Sequence, residues 1–231
     1  MKSFSIVIPI YNESQNILNL VKEIIFFLSN AYSYEIIIVD DGSQDLRPSL
    51  ITILKNKFSF VTICNHTKNL GQSKAILTGV INAKYDTIIT IDGDGQNNPK
   101  DILNLANLYY NNNYLLIGGL RINRQDNIIK KVSSKIANNI RQFFLKDECS
   151  DTGCSLKIFS KKVYLELPYF NGNHRFLPAL FKGYGYITKF IPVDHRKRNR
   201  GISKYGTFNR LFKGLNDLIY VRSLIKKRHN D

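Results

Sequence analysis

Apolar residues follow two rhythms along the chain. Short, unbroken, β-branched runs recur at Phe4–Ile10, Glu35–Val39, Phe60–Cys64, Thr87–Ile91 and Tyr114–Ile117. Runs this short, bounded by polar turn residues, predict buried strands. Between them the apolar positions shift to helical spacing. After the first run they fall at Ile17, Leu20, Val21, Ile24, Phe27 and Leu28, with Ser14 as a candidate N-cap. Helices are also expected over Pro48–Phe58, Gly71–Ala83 and Lys100–Tyr110. Strands that are apolar throughout, alternating with helices, predict an α/β fold: a mostly parallel, Rossmann-like sheet with helices on both faces.

The second half is less regular. Asp126–Leu145 is a mixed helical stretch carrying Lys130, Lys131, Lys135 and Arg141. Asp151-Thr152-Gly153-Cys154 reads as a turn before a short strand, Ser155–Phe159. A helix at Phe176–Phe181 and a strand at Tyr186–Val193 follow. Phe208–Lys226 then carries an apolar stripe of Phe208, Leu211, Phe212, Leu215, Leu218, Ile219 and Leu224/Ile225, opposite Arg210, Lys213, Arg222 and Lys226. Such a basic amphipathic helix either lies on a membrane or packs on its own domain, and the pattern leaves both open. No internal repeat or low-complexity linker is present; Asn111-Asn112-Asn113 reads as loop composition.

In sheets of this kind ligands bind beyond the carboxyl ends of the strands. Three polar clusters are expected there: Tyr11-Asn12-Glu13, Asp40-Asp41-Gly42-Ser43 and Asp92-Gly93-Asp94-Gly95-Gln96. Alternation along an extended chain places Asp92 and Asp94 on one side, and the glycines let the backbone leave the sheet beside a ligand. Paired carboxylates suit Mg²⁺ or Mn²⁺, which in turn hold phosphate oxygens. The plainer alternative is a polar turn after a strand. The first strand is followed by no dinucleotide-type glycine turn, and no Walker-type loop occurs.

Composition narrows the choice. At 43% hydrophobic and 22% charged residues the 231-residue chain is ordinary globular material. No apolar run approaches the roughly 18–20 residues that span a bilayer. The strand pattern starting at Phe4 leaves no signal peptide to expect. Cys64, Cys149 and Cys154 lack metal-ligand spacing and read as free thiols of a reducing compartment. The net charge is +15 and uneven. From His195 to Asp231, eleven Lys or Arg stand against two Asp. Such a patch points to phosphate groups, an anionic membrane face or nucleic acid, or simply to a solvated surface. Nucleic acid is disfavoured because Tyr205, Phe208 and Phe212 fall on one helical stripe and no base-reading motif is present. His66, His174, His195 and His229 form no metal-spaced pair and read as surface or phosphate-neighbouring residues.

These residues resemble the family 2 glycosyltransferases of the GT-A fold, and within them the dolichyl- and polyprenyl-phosphate sugar transferases. The motifs are Ile8-Pro9-Ile10-Tyr11-Asn12-Glu13, Val39-Asp40-Asp41-Gly42-Ser43, Asn69-Leu70-Gly71 and Asp92-Gly93-Asp94-Gly95-Gln96-Asn97-Asn98-Pro99. Gly119-Leu120-Arg121, Asp151-Thr152-Gly153 and His195-Arg196-x-Arg198-x-x-Gly201-x-Ser203-Lys204-Tyr205 complete the set. The resemblance covers nearly the whole chain. It implies one GT-A domain over residues 1–206, with a nucleotide-sugar half (1–120) and an acceptor half (121–206), then a basic amphipathic helix over 207–231.

The resemblance also implies roles. Pro9, Tyr11, Asn12, Glu13 and Asp40 would contact the donor, with Asp41 supporting their loop. Asp92, Asp94 and Gln96 would hold Mg²⁺ or Mn²⁺ and the donor diphosphate. Arg121, Lys131, Ser134, Arg198, Arg200 and Lys204 would bind acceptor phosphate. Lys130 or Lys131 stands where the family often has Arg, and Lys grips phosphate less specifically. Family members often carry a small or apolar residue where Gly93 and Gly95 stand here, a departure expected to be tolerated. The implied partners are a nucleotide-sugar donor, a polyprenyl-phosphate acceptor and an anionic membrane surface. No nucleic acid is expected, and a homodimer stands open. The implied location is peripheral, at the cytoplasmic face.

The chemistry follows. A phosphate acceptor is already anionic and needs positioning and charge neutralisation more than deprotonation. A hydroxyl acceptor instead needs a general base within reach, and Asp151 is the candidate. With a phosphate acceptor Asp151 would orient sugar or acceptor. Its plainer role is a turn residue.

Overall fold

The structure is a computed structural model. It describes residues 2–28, 31–45, 48–122, 138–197 and 207–230. In chain order the elements are β1 (Ser3–Ile10), α1 (Ser14–Leu28), β2 (Ser33–Asp40), α2 (Pro48–Lys57), β3 (Val61–Asn65), α3 (Gln72–Asn82), β4 (Thr87–Thr90), α4 (Asp101–Tyr110) and β5 (Leu116–Arg121). Then come α5 (138–145), β6 (Lys157–Ser160), α6 (Lys161–Glu166), a 3₁₀ turn at Asn173–Arg175, α7 (Leu177–Gly183), β7 (Thr188–Val193) and α8 (Thr207–Asn230). Among the described residues the sheet has seven strands in the order β3-β2-β1-β4-β6-β5-β7.

β1, β2, β3 and β4 are mutually parallel, as are β5 and β7. β6 runs antiparallel to both β4 and β5. The continuous apolar runs have a physical reason, since both faces of the sheet are covered. Along β1, Phe4, Ile6, Ile8 and Ile10 enter one core with α1 and α4, while Val7 enters the other with α3, α6, α7 and α8. β2 repeats the split, with Ile36 and Ile38 on the first side and Ile37 and Val39 on the second.

After β1 the chain adds β2 and β3 on one side, then crosses to lay β4 on the other. β1 is therefore the switch point, and the loops leaving β1, β2 and β4 share one edge.

Two expectations are corrected here. Ser14 is the first residue of α1 rather than the residue capping it, and its hydroxyl donates to Asp45 Oδ2 at 3.0 Å. The helix start is closed instead by Glu13, whose carbonyl accepts from Asn16 N (3.0 Å) and whose Oε2 accepts from Asn16 Nδ2 (2.8 Å). In α8 the described inward face keeps Leu218 and Ile225 from the expected stripe but takes Val221 in place of Ile219. Leu218 and Val221 are buried, Ile225 packs against the same core, and Ile219 is 67% exposed. Thus the described part of α8 packs on the domain. Arg175 pairs with Asp217 at 2.9 Å, and Gly183 lets Ile225 close in, since a Cβ there would lie 2.6 Å from Ile225 Cγ1. The glycine at position 93 has a steric reason. A Cβ there would lie 2.5 Å from Ile10 Cγ2, so the turn after β4 presses directly on β1. Gly95 has open space but a φ of +74°, which disfavours other residues.

Candidate functional site

The loops leaving β1 and β2 are laced together. Asn12 takes a left-handed φ of +53°. Its amide donates to Ser43 Oγ at 2.8 Å, and its Oδ1 accepts from Gln44 N at 2.8 Å. Asp40, at the end of β2, accepts from Ser43 N at 3.0 Å. Pro9 and Tyr11 are half-buried beside it, and Glu13 is buried.

Asp41 is buried and surrounded. It accepts from Leu70 N (2.9 Å) and Gly71 N (2.8 Å), and its Oδ1 lies 2.7 Å from His66 Nδ1. The carboxylate thus fastens the Asn69-Leu70-Gly71 loop. Gly42 makes this approach feasible, since its Cβ would fall 2.6 Å from the Lys68 carbonyl carbon. His66 is not the surface residue expected from sequence. Its other ring nitrogen lies 2.9 Å from Thr78 Oγ1, so it bridges two elements.

On the far side of β1, strand pairing stops at Thr90 and a turn covers Gly93–Gly95. Strand alternation therefore does not place Asp92 and Asp94; the turn does. Asp94 Oδ1 accepts from Gln96 N at 3.1 Å. The Asp92 amide donates to Ser155 Oγ (3.1 Å), and Gln72 Nε2 donates to Asp92 Oδ1 (2.8 Å). The Asp92 carboxyl is pushed up to about 6, first by burial and then by the charge of Asp94. Ser155, Lys157 and Arg121 pull it the other way. Arg121 and Lys157 thus act electrostatically on the same carboxylate. The buried Lys157 ammonium is capped by the Cys154 carbonyl.

Arg121 and Asp151, far apart in sequence, form one unit. Arg121 Nε and Nη2 donate to the two Asp151 oxygens at 2.7 Å each, and Arg121 N donates to Oδ2 at 3.1 Å. Gly153 leaves room for the guanidinium, as a Cβ there would lie 2.7 Å from Nη2. Behind it, buried Arg141 donates to Asp147 Oδ2 (2.9 Å), Thr152 Oγ1 (2.7 Å), Asn138 Oδ1 (2.6 Å) and the Cys149 carbonyl. That network holds the 147–152 turn in place.

The start of the late basic motif reaches the Asp94 turn. Asn97 and His195 form an antiparallel bridge. Arg196 N donates to Gln96 O at 2.8 Å, and Gln96 Nε2 donates to Arg196 O at 3.3 Å. The Arg196 guanidinium is held by Glu23 (2.6 Å) and Asn98 (2.7 Å). Lys131, Ser134, Arg198, Arg200 and Lys204, with Lys130, lie outside the described residues.

The structure therefore gathers Pro9, Tyr11, Asn12, Glu13, Asp40, Asp41, Asp92, Asp94 and Gln96 along one edge, with Arg121 and Asp151 adjoining. Sequence reasoning missed Gln72, Ser155 and Lys157. The only pointer to Gln72 was its position directly after the Asn69-Leu70-Gly71 motif. Among the described residues no set of three His, Cys, Asp or Glu converges on a metal site. Two carboxylates that repel each other nonetheless suit Mg²⁺ or Mn²⁺, which keep waters and take diphosphate oxygens for the remaining positions.

Comparison with known proteins gives the family and the fold. Residues 5–167 match the family model described as glycosyl transferase family 2. The chain is 33% identical over 204 residues to an undecaprenyl-phosphate 4-deoxy-4-formamido-L-arabinose transferase of Edwardsiella ictaluri, covering 87% of this chain and 62% of that protein. A Yersinia pestis protein of the same name is 34% identical over 223 residues, covering 95% and 67%. A dodecaprenyl-phosphate galacturonate synthase of Rhizobium johnstonii is 33% identical over 224 residues, covering 94% and 65%. The chain thus spans about two thirds of the length of these relatives. In fold it matches glucosyl-3-phosphoglycerate synthase of Mycobacterium tuberculosis, crystallised with Mn²⁺ and UDP, at a TM-score of 0.69. Identity there is 15%, over 95% of this chain and 78% of that one.

Proposed function

The chain belongs to glycosyl transferase family 2, and from that premise we propose that it moves a sugar from a nucleotide-diphosphate donor to a polyprenyl phosphate, with inversion. Its relatives carry names for transfer to undecaprenyl or dodecaprenyl phosphate. The observation that carries the acceptor class is the Arg121–Asp151 pair. Both Asp151 oxygens are engaged by one guanidinium, so Asp151 is built to orient Arg121 rather than to abstract a proton. A phosphate acceptor needs that cation and no base.

In this reading Pro9, Tyr11, Asn12, Glu13 and Asp40 receive the nucleoside, and Asp41 keeps their floor rigid through the 69–71 loop. Asp92 and Asp94, with Gln96, would hold Mg²⁺ or Mn²⁺, which when bound supplies Lewis acidity to the departing diphosphate. Gln72 steadies Asp92 from the start of α3. Arg121 neutralises and aims the acceptor phosphate, and Lys131, Ser134, Arg198, Arg200 and Lys204 are assigned to the same phosphate by resemblance. In-line attack by a phosphate oxygen then displaces the nucleoside diphosphate. Residues 1–206 would form the transferase domain, working at the cytoplasmic face.

The test is a screen of nucleotide sugars by thermal shift with Mn²⁺, then transfer to a short polyprenyl phosphate and to the matching polyprenol. Transfer to the phosphate alone is expected; transfer to the alcohol would favour a hydroxyl acceptor with Asp151 as base. Arg121→Ala should raise the KM for lipid phosphate more than for donor. An equal rise in both would assign Arg121 to the donor.

A further inference from the structure

Lys157 is a cation held inside the sheet. It stands on β6 opposite Thr90 of β4 and Gly118 of β5, and it is 4% exposed. Its Nζ donates to the Cys154 carbonyl, so the side chain runs back along β6 toward the functional edge. Among the described residues no carboxylate pairs with it, and a group with three donors meets one acceptor. Burying an ammonium on such terms is costly unless negative charge stands close by. Strand alternation puts Lys157 on the face of Phe159, the face that also carries α3. There Gln72, at the start of α3, donates to Asp92 Oδ1 at 2.8 Å. β6 is fastened to the same segment. Thr90 Oγ1 donates to the Ser155 carbonyl at 2.7 Å, and the Asp92 amide donates to Ser155 Oγ at 3.1 Å. Two cations favour the ionised Asp92 carboxylate, Lys157 and Arg121. Arg121 already holds both Asp151 oxygens, whereas Lys157 has no carboxylate of its own among the described residues.

We propose that Lys157 is the built-in counter-charge of the Asp92–Asp94 pair, and that it keeps divalent-ion affinity low in the absence of a diphosphate. The ion half of this inference rests on the sugar-transfer reading, and the counter-charge half on the fold alone. A fixed positive charge beside two carboxylates lowers the cost of holding them together. The same charge repels a divalent cation that comes to the pair. The negative charge of a bound diphosphate would offset that repulsion. Lys157 is thus a positioning residue that acts through Asp92.

The experiment has two arms, both at about pH 8, where carboxylates are ionised. In the first, Mn²⁺ uptake by the nucleotide-free protein is read from the paramagnetic resonance of the free ion. Lys157→Met should bind Mn²⁺ about fivefold or more tighter than wild type, and Lys157→Arg within about twofold of it. A residue that only filled space would loosen the site when replaced. Unchanged or weaker Mn²⁺ binding by Lys157→Met therefore overturns the proposal and leaves the wild-type ion site standing. The second arm compares thermal midpoints without divalent ions for wild type, Lys157→Met, Asp92→Asn and the double variant. Asp92→Asn keeps an oxygen for Gln72 and removes the charge. It should raise the midpoint by about 2–4 °C more in the Lys157→Met background than in wild type. Equal shifts overturn the counter-charge. Lys157→Gln takes the place of Lys157→Met in both arms should the latter not fold. If no variant takes up Mn²⁺, the ion site of the sugar-transfer reading fails and the ion half of the proposal with it, while coupled midpoints still uphold the counter-charge.

Discussion

Asp92 is the residue on which the rim's electrostatics converge. Its pKa, about 6, stands above the ordinary carboxylate value of about 3.9. A raised folded-state pKa means the folded form holds the proton more tightly. The stability it contributes is full below about pH 4 and is lost as pH rises through about 6. Without divalent ions, the thermal midpoint of wild type relative to Asp92→Asn should therefore fall between about pH 4 and pH 7. A difference that stays flat across that range contradicts the burial and charge assigned to Asp92. Gly93→Ala should cost about 1–3 kcal/mol in urea unfolding, because its Cβ overlaps Ile10 Cγ2. An unchanged midpoint would show that the turn yields. At this scale the sequence showed which residues are polar at strand ends but not their pairings. Arg121 and Asp151 carry separate tasks in the sequence reading, since nothing in a linear chain says that residues thirty positions apart share three hydrogen bonds. His66 was misplaced for the same reason.

At the level of elements, α8 shows how far periodicity reaches. Ile219 and Val221 are both apolar, and the sequence pattern selected Ile219. The partner decides: Gly183 on α7 lets Ile225 approach, and that rotation turns Val221 inward and Ile219 out. Val221→Ala should destabilise by about 2 kcal/mol and Ile219→Ala by less than about 0.5 kcal/mol, read by chemical denaturation. Equal effects would mean that α8 packs differently. The buried Arg141–Asp147 pair should be costlier to break. Asp147→Ala leaves a buried guanidinium without its ion partner and should cost about 3–5 kcal/mol. A change below about 1 kcal/mol would mean the pair does not organise the 147–152 turn. Arg141 appeared in the sequence only as one of several basic residues on a mixed helical stretch, because charge alone does not reveal burial.

Over the whole molecule, the alternation of short apolar runs with helical spacing made the α/β class legible, because helices on both faces require strands without polar positions. It also made the functional edge legible, since a parallel sheet gathers its strand ends. The antiparallel insertion of β6 between β4 and β5 was not legible, as strand direction depends on loop paths that local pattern does not encode. That insertion is what brings Ser155 and Lys157 beside Asp92. The central claim is that the β1–β2–β4 edge holds a nucleotide sugar on a carboxylate-bound ion and delivers its sugar to a lipid phosphate. It is tested most directly by following labelled sugar into a polyprenyl phosphate with wild type, with wild type in chelator, and with Asp94→Asn. Glycolipid formed by wild type with Mn²⁺, and reduced about a hundredfold or more in the other two, is the predicted result. Equal product in chelator and in Asp94→Asn would contradict it.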